Sequence, residues 1–183
     1  MKNLKVARRY AKALLLIGKD DGQTETYREQ LGDFVSVLES NKDLAAVVSN
    51  PIHETAGRKK VLRALLDRAM YAPAVNAFLL LLFEKGRIQM VDSISSEFAK
   101  LADEMKGIAR ASLLTATDLS EETVQKIREG LSRKTGKDVL LEVGKDPALI
   151  GGVVARIGDL VLDGSIRTQL SNLKETLKRS EAV

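Results

Sequence analysis

The stretch IGGVVARIGDLVLDGSIRTQL, residues 150–170, decides how the second half of this chain is read. Gly151 and Gly152 lead into an apolar run, Gly158 and Asp159 interrupt it, and Asp163-Gly164-Ser165 closes it before a polar, helix-like segment. Glycine-rich turns beside apolar strands often cradle phosphates, so that chemistry is tested first. A dinucleotide fingerprint needs G-x-G-x-x-G opening a helix, whereas this glycine pair precedes a strand. The Gly-Lys-Asp triplets at 18–20, 136–138 and 144–146 lack the Ser or Thr that follows Gly-Lys in a Walker loop. The segment therefore reads as architecture, with glycines that suit bends or bulges and with Ser165 capping a final helix. Gly164 is expected at positive φ, where a side chain would be strained.

Working outward, IARASLLTAT and KDVLLEV read as strands on either side of DLSEETVQKIREGLSRKTG, a helix with Ser120 as cap and Glu121 and Glu122 in its first turn. The order strand–helix–strand–strand–helix implies a small α+β domain over residues 106–183. Upstream the period is helical. Residues 4–19 are apolar on a wide arc, and Tyr27, Leu31, Phe34, Val35 and Leu38 form a strong stripe. DLAAVVSN is a short helix stopped by Asn50-Pro51. Residues 56–71 carry Val61, Leu62, Leu65, Leu66 and Ala69 and end near Pro73; AVNAFLLLLFEKG is a fifth helix. Ile88, Val91, Ile94, Phe98, Leu101 and Met105 define a long sixth. The expected class is α+β: an N-terminal six-helix bundle over residues 1–105, then the small α+β domain.

Composition excludes much chemistry. Without cysteine there is no disulfide, thiolate metal site or cysteine nucleophile, and the single histidine, His53, rules out a multi-histidine metal site. No G-x-S-x-G nucleophile elbow occurs. Asp159 and Asp163 are too far apart on an extended segment, over ~10 Å, to act as an acid/base pair. No catalytic residue, cofactor or metal ligand is therefore assigned. The opening MKNLKVARRYAKALLLIGKDD has too short an apolar core for a signal peptide, and no stretch reaches the ~20 apolar residues of a membrane span. A soluble, cytoplasmic protein is expected. The net charge of +4 makes a basic helical RNA-binding module the alternative function. Against it, every aromatic lies at or before Phe98, so the expected sheet has no platform on which bases could stack.

The first helix carries a sharper signal. On a wheel of about 100° per residue, Leu4, Ala7, Ala11, Leu14, Leu15 and Gly18 cluster on one face. Val6, Tyr10, Ala13 and Ile17 form a second stripe about 130° away. Two apolar stripes imply burial on two sides. AFLLLLF in the fifth helix is apolar all round. Either both helices are central in the bundle, or they flank a groove that a partner's amphipathic helix fills.

VARRYAKALL at 6–15 resembles the opening helix of the delta subunit of F-type ATP synthases, the family of the mitochondrial oligomycin-sensitivity-conferring protein. NAFLLLLFEKGRI resembles that family's fifth helix and following turn, and DPALIGGVVARIGDLVLDGSIRTQLSNLKETL is similar to its C-terminal signature. The resemblance implies a non-catalytic stator component of the peripheral stalk. Its N-terminal domain would bind the N-terminal helix of an alpha subunit on the catalytic head, with Tyr10, Ala13 and Leu81 at groove positions. Its C-terminal domain would engage the C-terminal ends of the membrane-anchored b subunits, for which Leu170, Leu173 and Leu177 on the last helix are the nominees. Gly151, Gly152, Gly158, Asp159, Asp163, Gly164 and Ser165 take structural roles. The expected place is the cytoplasmic face of a bacterial membrane, reached only through the complex.

Overall fold

The computed structural model describes residues 4–50, 54–158 and 160–180, with residues 175–180 through their backbone only. The chain divides into two compact units, Met1–Ala102 and Asp103–Val183.

Among the described residues the first unit is helical: α1 (Leu4–Asp20), α2 (Thr24–Ser40), α3 (Lys42–Ser49), α4 (Thr55–Ala69), α5 (Pro73–Glu84), a 3-10 turn (Ile88–Met90) and α6 (Val91–Met105). Its core takes Ala7, Ala11 and Leu14 from α1, and Tyr27, Leu31 and Phe34 from α2. Leu62 and Leu66 join from α4, Val75, Leu79 and Leu82 from α5, and Ile94, Phe98 and Ala102 from α6. Each fully buried large side chain contributes roughly 1.5–3 kcal/mol. The core stripe of α1 holds, except that Leu4, at the helix start, is exposed.

Local chemistry sets the breaks. The Asp21 carboxylate accepts hydrogen bonds from the Gln23 amide at 3.0 Å and from the Tyr27 hydroxyl, folding the α1–α2 turn back on α2. That bond, with burial, pushes the Tyr27 phenol up to about 12. Helix α4 stops before Met70, which is left-handed with φ 51°, so Pro73 does not end α4 but opens α5. A proline suits the first helical position, where its missing N–H is not needed. His53 and Pro51 lie outside the described residues.

The second unit holds β1 (Ile108–Thr115), α7 (Glu121–Thr135), β2 (Asp138–Lys145), β3 (Val153–Ile157), β4 (Leu160–Asp163) and α8 (Ile166–Ser180). The sheet order is β2-β1-β3-β4, with β1 and β2 parallel through the α7 crossover and the other pairs antiparallel. The oxygen of Ser120 caps α7 by accepting from the Thr123 amide, and left-handed Gly136 ends it. One sheet face presents Ala111, Leu113, Val139 and Ala155, onto which Leu131 and Ile127 of α7 pack.

The opening stretch resolves into a corner rather than a cradle. Gly158 (φ 55°) does not bend one strand but follows Ile157, which pairs antiparallel with Leu160 of the next strand; Asp159 lies outside the described residues. The expectation of positive φ at Gly164 fails, since its backbone is not left-handed. The demanding glycine is Gly152, at φ 79°, where a Cβ would stand 2.3 Å from the Gly164 carbonyl oxygen. Two segments of backbone meet there. The Gly164 amide donates to the Val153 carbonyl at 2.9 Å and the Ile166 amide to the Gly151 carbonyl at 3.0 Å.

Candidate partner-binding surfaces

The start of α8 is the place where a Gly-rich segment meets a helix N-terminus, the usual geometry of a phosphate site. Three of its amides are already engaged. Ser165 N–H donates to Asp163 Oδ1 at 2.8 Å, Ile166 N–H to Gly151, and Thr168 N–H to Ser165 Oγ at 3.2 Å. The Thr168 hydroxyl donates to Asp163 Oδ2 at 2.8 Å. These bonds, the Ser165 amide first, hold the exposed Asp163 carboxyl below its ordinary range. Asp163 and buried Ser165 therefore hold the corner, and an anion would have to displace three protein acceptors. No group of three or more His, Asp or Glu side chains capable of holding a metal occurs among the described residues.

The second stripe of α1 lies outside the core. Val6 and Tyr10 are half-buried, Ala13 is exposed, and Ile17 is 49% exposed. Helix α5 is not enclosed either: it buries Val75, Phe78, Leu79, Leu82 and Phe83 but leaves Leu81 42% exposed. Tyr10 ties the two helices together. Its ring meets Phe78 edge-on, with centroids 6.2 Å apart. The Arg87 guanidinium lies 5.2 Å from the Tyr10 ring centroid and donates to the Tyr10 hydroxyl at 2.6 Å. Packing, a cation–π contact and a hydrogen bond thus fix one ring. Sequence reasoning does not single out Phe78 or Arg87. A partial signal exists: Phe78 stands three residues before Leu81, and Arg87 sits in the Gly-Arg turn.

In the second unit the apolar surplus lies on α8 and the sheet. Leu170 and Leu173 are 54% and 55% exposed, and Ile166 is exposed on the same stripe; the side chain of Leu177 lies outside the described residues. Leu113, Val153, Ala155 and Leu162 floor an open groove of about 490 Å³ beside Ile127 and Leu131 of α7. One helix cannot cover four strands spaced about 4.8 Å apart, so part of this face is left open. No described helix is long and apolar enough to cross a membrane.

The family model described as ATP synthase delta (OSCP) subunit matches residues 6–177. The chain is 64% identical over 183 residues to the ATP synthase subunit delta of Desulfatibacillum aliphaticivorans, covering all of both chains. It is 50% identical to the subunit delta of Desulfosudis oleivorans, again covering both fully. A chain in the cryo-EM structure of the Toxoplasma gondii mitochondrial ATP synthase hexamer shares the fold, with a TM-score of 0.68 at 22% identity over 93% of this chain and 96% of that one. This chain belongs to the ATP synthase delta (OSCP) subunit family.

Proposed function

We propose that this chain is a non-catalytic stator subunit of the ATP synthase peripheral stalk, whose six helices act as one bundle that grips the N-terminal helix of an alpha subunit between α1 and α5. The family membership supports the stalk role. The observation that carries the finer reading is the exposed stripe of Ala13 and Ile17, continuous with half-buried Tyr10, whose ring packs on α5 beside exposed Leu81. An amphipathic helix laid there would cover apolar side chains that the unit's own core leaves in water. The second unit engages the C-terminal ends of the b subunits through α8, with Leu170 and Leu173 as contacts. The complex then holds the chain at the cytoplasmic face of the membrane, where the stalk keeps the catalytic head from turning with the rotor.

Ala13→Glu tests the groove. Because Ala13 is exposed, the charge leaves the core intact and the melting temperature nearly unchanged. Titration calorimetry with a synthetic peptide of the alpha subunit's N-terminal helix should show a loss of at least ~2 kcal/mol, the scale of a hot spot. Normal peptide binding by the folded variant refutes the assignment. The RNA-binding reading gains nothing from the exposed sheet, since no aromatic lies beyond Phe98.

A further inference from the structure

Once the core face and the exposed stripe of α1 are set aside, the remaining sector of the helix is basic. On the helical wheel Lys5, Arg8, Arg9, Lys12 and Lys19 lie in it together with exposed Leu16, and Arg9 is the cation nearest the stripe, with Asp20 between the two. All five cations are exposed. Among the described residues none of them forms an ion pair or side-chain hydrogen bond. Some other cations of this unit are engaged, among them Lys59 with Glu84 at 2.6 Å, Lys100 with Glu97 at 3.0 Å, and Arg58, which donates to the Val48 carbonyl at 2.7 Å.

Two local rules are broken on α1 without an internal remedy. Lys5–Arg8, Lys5–Arg9, Arg8–Lys12 and Arg9–Lys12 are like-charge pairs at i, i+3 and i, i+4, which work against a helix. The first turn of α1 holds no acidic residue, so the cations crowd the end where the helix dipole favours anions. Partner charge of the opposite sign relieves both at once. A nucleic acid would supply it too, but the one aromatic on this helix, Tyr10, is already packed on Phe78 and covered by Arg87, so it offers no face for a base.

We infer that the helix docking on the Val6–Tyr10–Ala13–Ile17 stripe is acidic along one flank, and that the basic rim of Lys5, Arg9 and Lys12 steers it into register. This rests on the groove reading above. Steering of this kind acts mainly on the association rate and weakens as salt screens it.

The test uses the full chain and a peptide of about 20 residues, some 30 Å of helix, from the N-terminus of the cognate alpha subunit. A second peptide has its Asp and Glu replaced by Asn and Gln. Association rates are measured by stopped flow at about 20 mM and about 0.5 M salt. For the acidic peptide the rate should fall about tenfold or more with salt, while dissociation changes little. Lys5→Gln/Arg9→Gln/Lys12→Gln should lower its low-salt rate to that of the neutral peptide, with an unchanged melt. Equal, salt-insensitive rates for both peptides overturn the proposal, and if Ala13→Glu still abolishes binding the groove reading survives. Binding that ignores Ala13→Glu sinks the groove reading itself. Single-stranded RNA binding lost in the triple variant, with peptide rates unaffected, reassigns the rim to nucleic acid and overturns the proposal.

Discussion

Gly152→Ala should be the most damaging small change at the corner that opens α8. At φ 79° an alanine costs about 1–2 kcal/mol in backbone strain alone. Its Cβ would also stand 2.3 Å from the Gly164 carbonyl oxygen and 3.0 Å from the Ser165 Cα. Both are backbone atoms, so no side-chain rotation relieves the overlap and the two segments must separate. Separation threatens the Ile166–Gly151 and Gly164–Val153 hydrogen bonds, each worth about 1 kcal/mol net. The sum is about 3–4 kcal/mol. Gly164→Ala meets only the Val153 carbonyl oxygen at 3.3 Å in an ordinary backbone conformation and should cost about 1 kcal/mol or less. Gly151→Ala stands between them: its nearest contact, 2.6 Å, is the Cδ1 end of Ile166, which can turn away. Urea unfolding followed by circular dichroism gives the stabilities, and hydrogen exchange over residues 150–170 assigns the loss to this corner. If Gly164→Ala proves as costly as Gly152→Ala, the steric reasoning is wrong.

Two further outcomes are expected in the second unit. Leu170→Ser with Leu173→Ser removes exposed apolar groups, so stability should stay within about 0.5 kcal/mol, while binding of a peptide from the C-terminal end of a b subunit should weaken at least tenfold; a lowered melt or unchanged binding refutes the α8 contact. Asp163 should show its depressed pKa in acid. A carboxyl that binds its proton less readily when folded favours folding above the ordinary carboxylate range, and that contribution is lost as pH falls through the folded value. Comparing the native chain with Asp163→Asn in acid melts should therefore reveal a stability gap that closes as pH falls through and below the ordinary carboxylate range; a gap that does not vary with pH contradicts the hydrogen-bond assignment.

Periodicity carries the helices well because each apolar stripe is local information. Leu31 and Phe34 announce their face within one turn, and Ser120 announces its cap within three residues. Signs that depend on a distant segment are not legible. Which of Gly151, Gly152 and Gly164 must lack a side chain depends on how closely two stretches of backbone approach, and only the folded corner supplies that. The Tyr10–Arg87 pair joins residues 77 apart, so in sequence the ring is only one more apolar position. The reading of α5 as apolar all round is correct as composition, yet it does not tell a buried side from an exposed one. Leu81 is the residue on which that difference turns. At Met70 the helix ends in a left-handed residue that is not glycine, so the usual glycine signal for a helix end is missing and Pro73 reads as a stop instead of a start.

The two units differ in how far they satisfy themselves. The first buries large side chains from all six of its described α-helices, so its exposed stripe is a surplus that folding does not need. The second has a smaller core of Ala111, Leu113, Leu131, Val139 and Ala155, and it leaves apolar residues in water on the sheet and along α8. Where a partner binds only the folded form, its binding energy adds to stability in proportion to the logarithm of its concentration over Kd. The same binding energy is therefore a larger share of the total for the second unit than for the first. On the proposed reading, a stalk contact made by the first unit could be lost with little effect on its fold, whereas one made by α8 would both attach the chain and add stability to a unit whose own core is small.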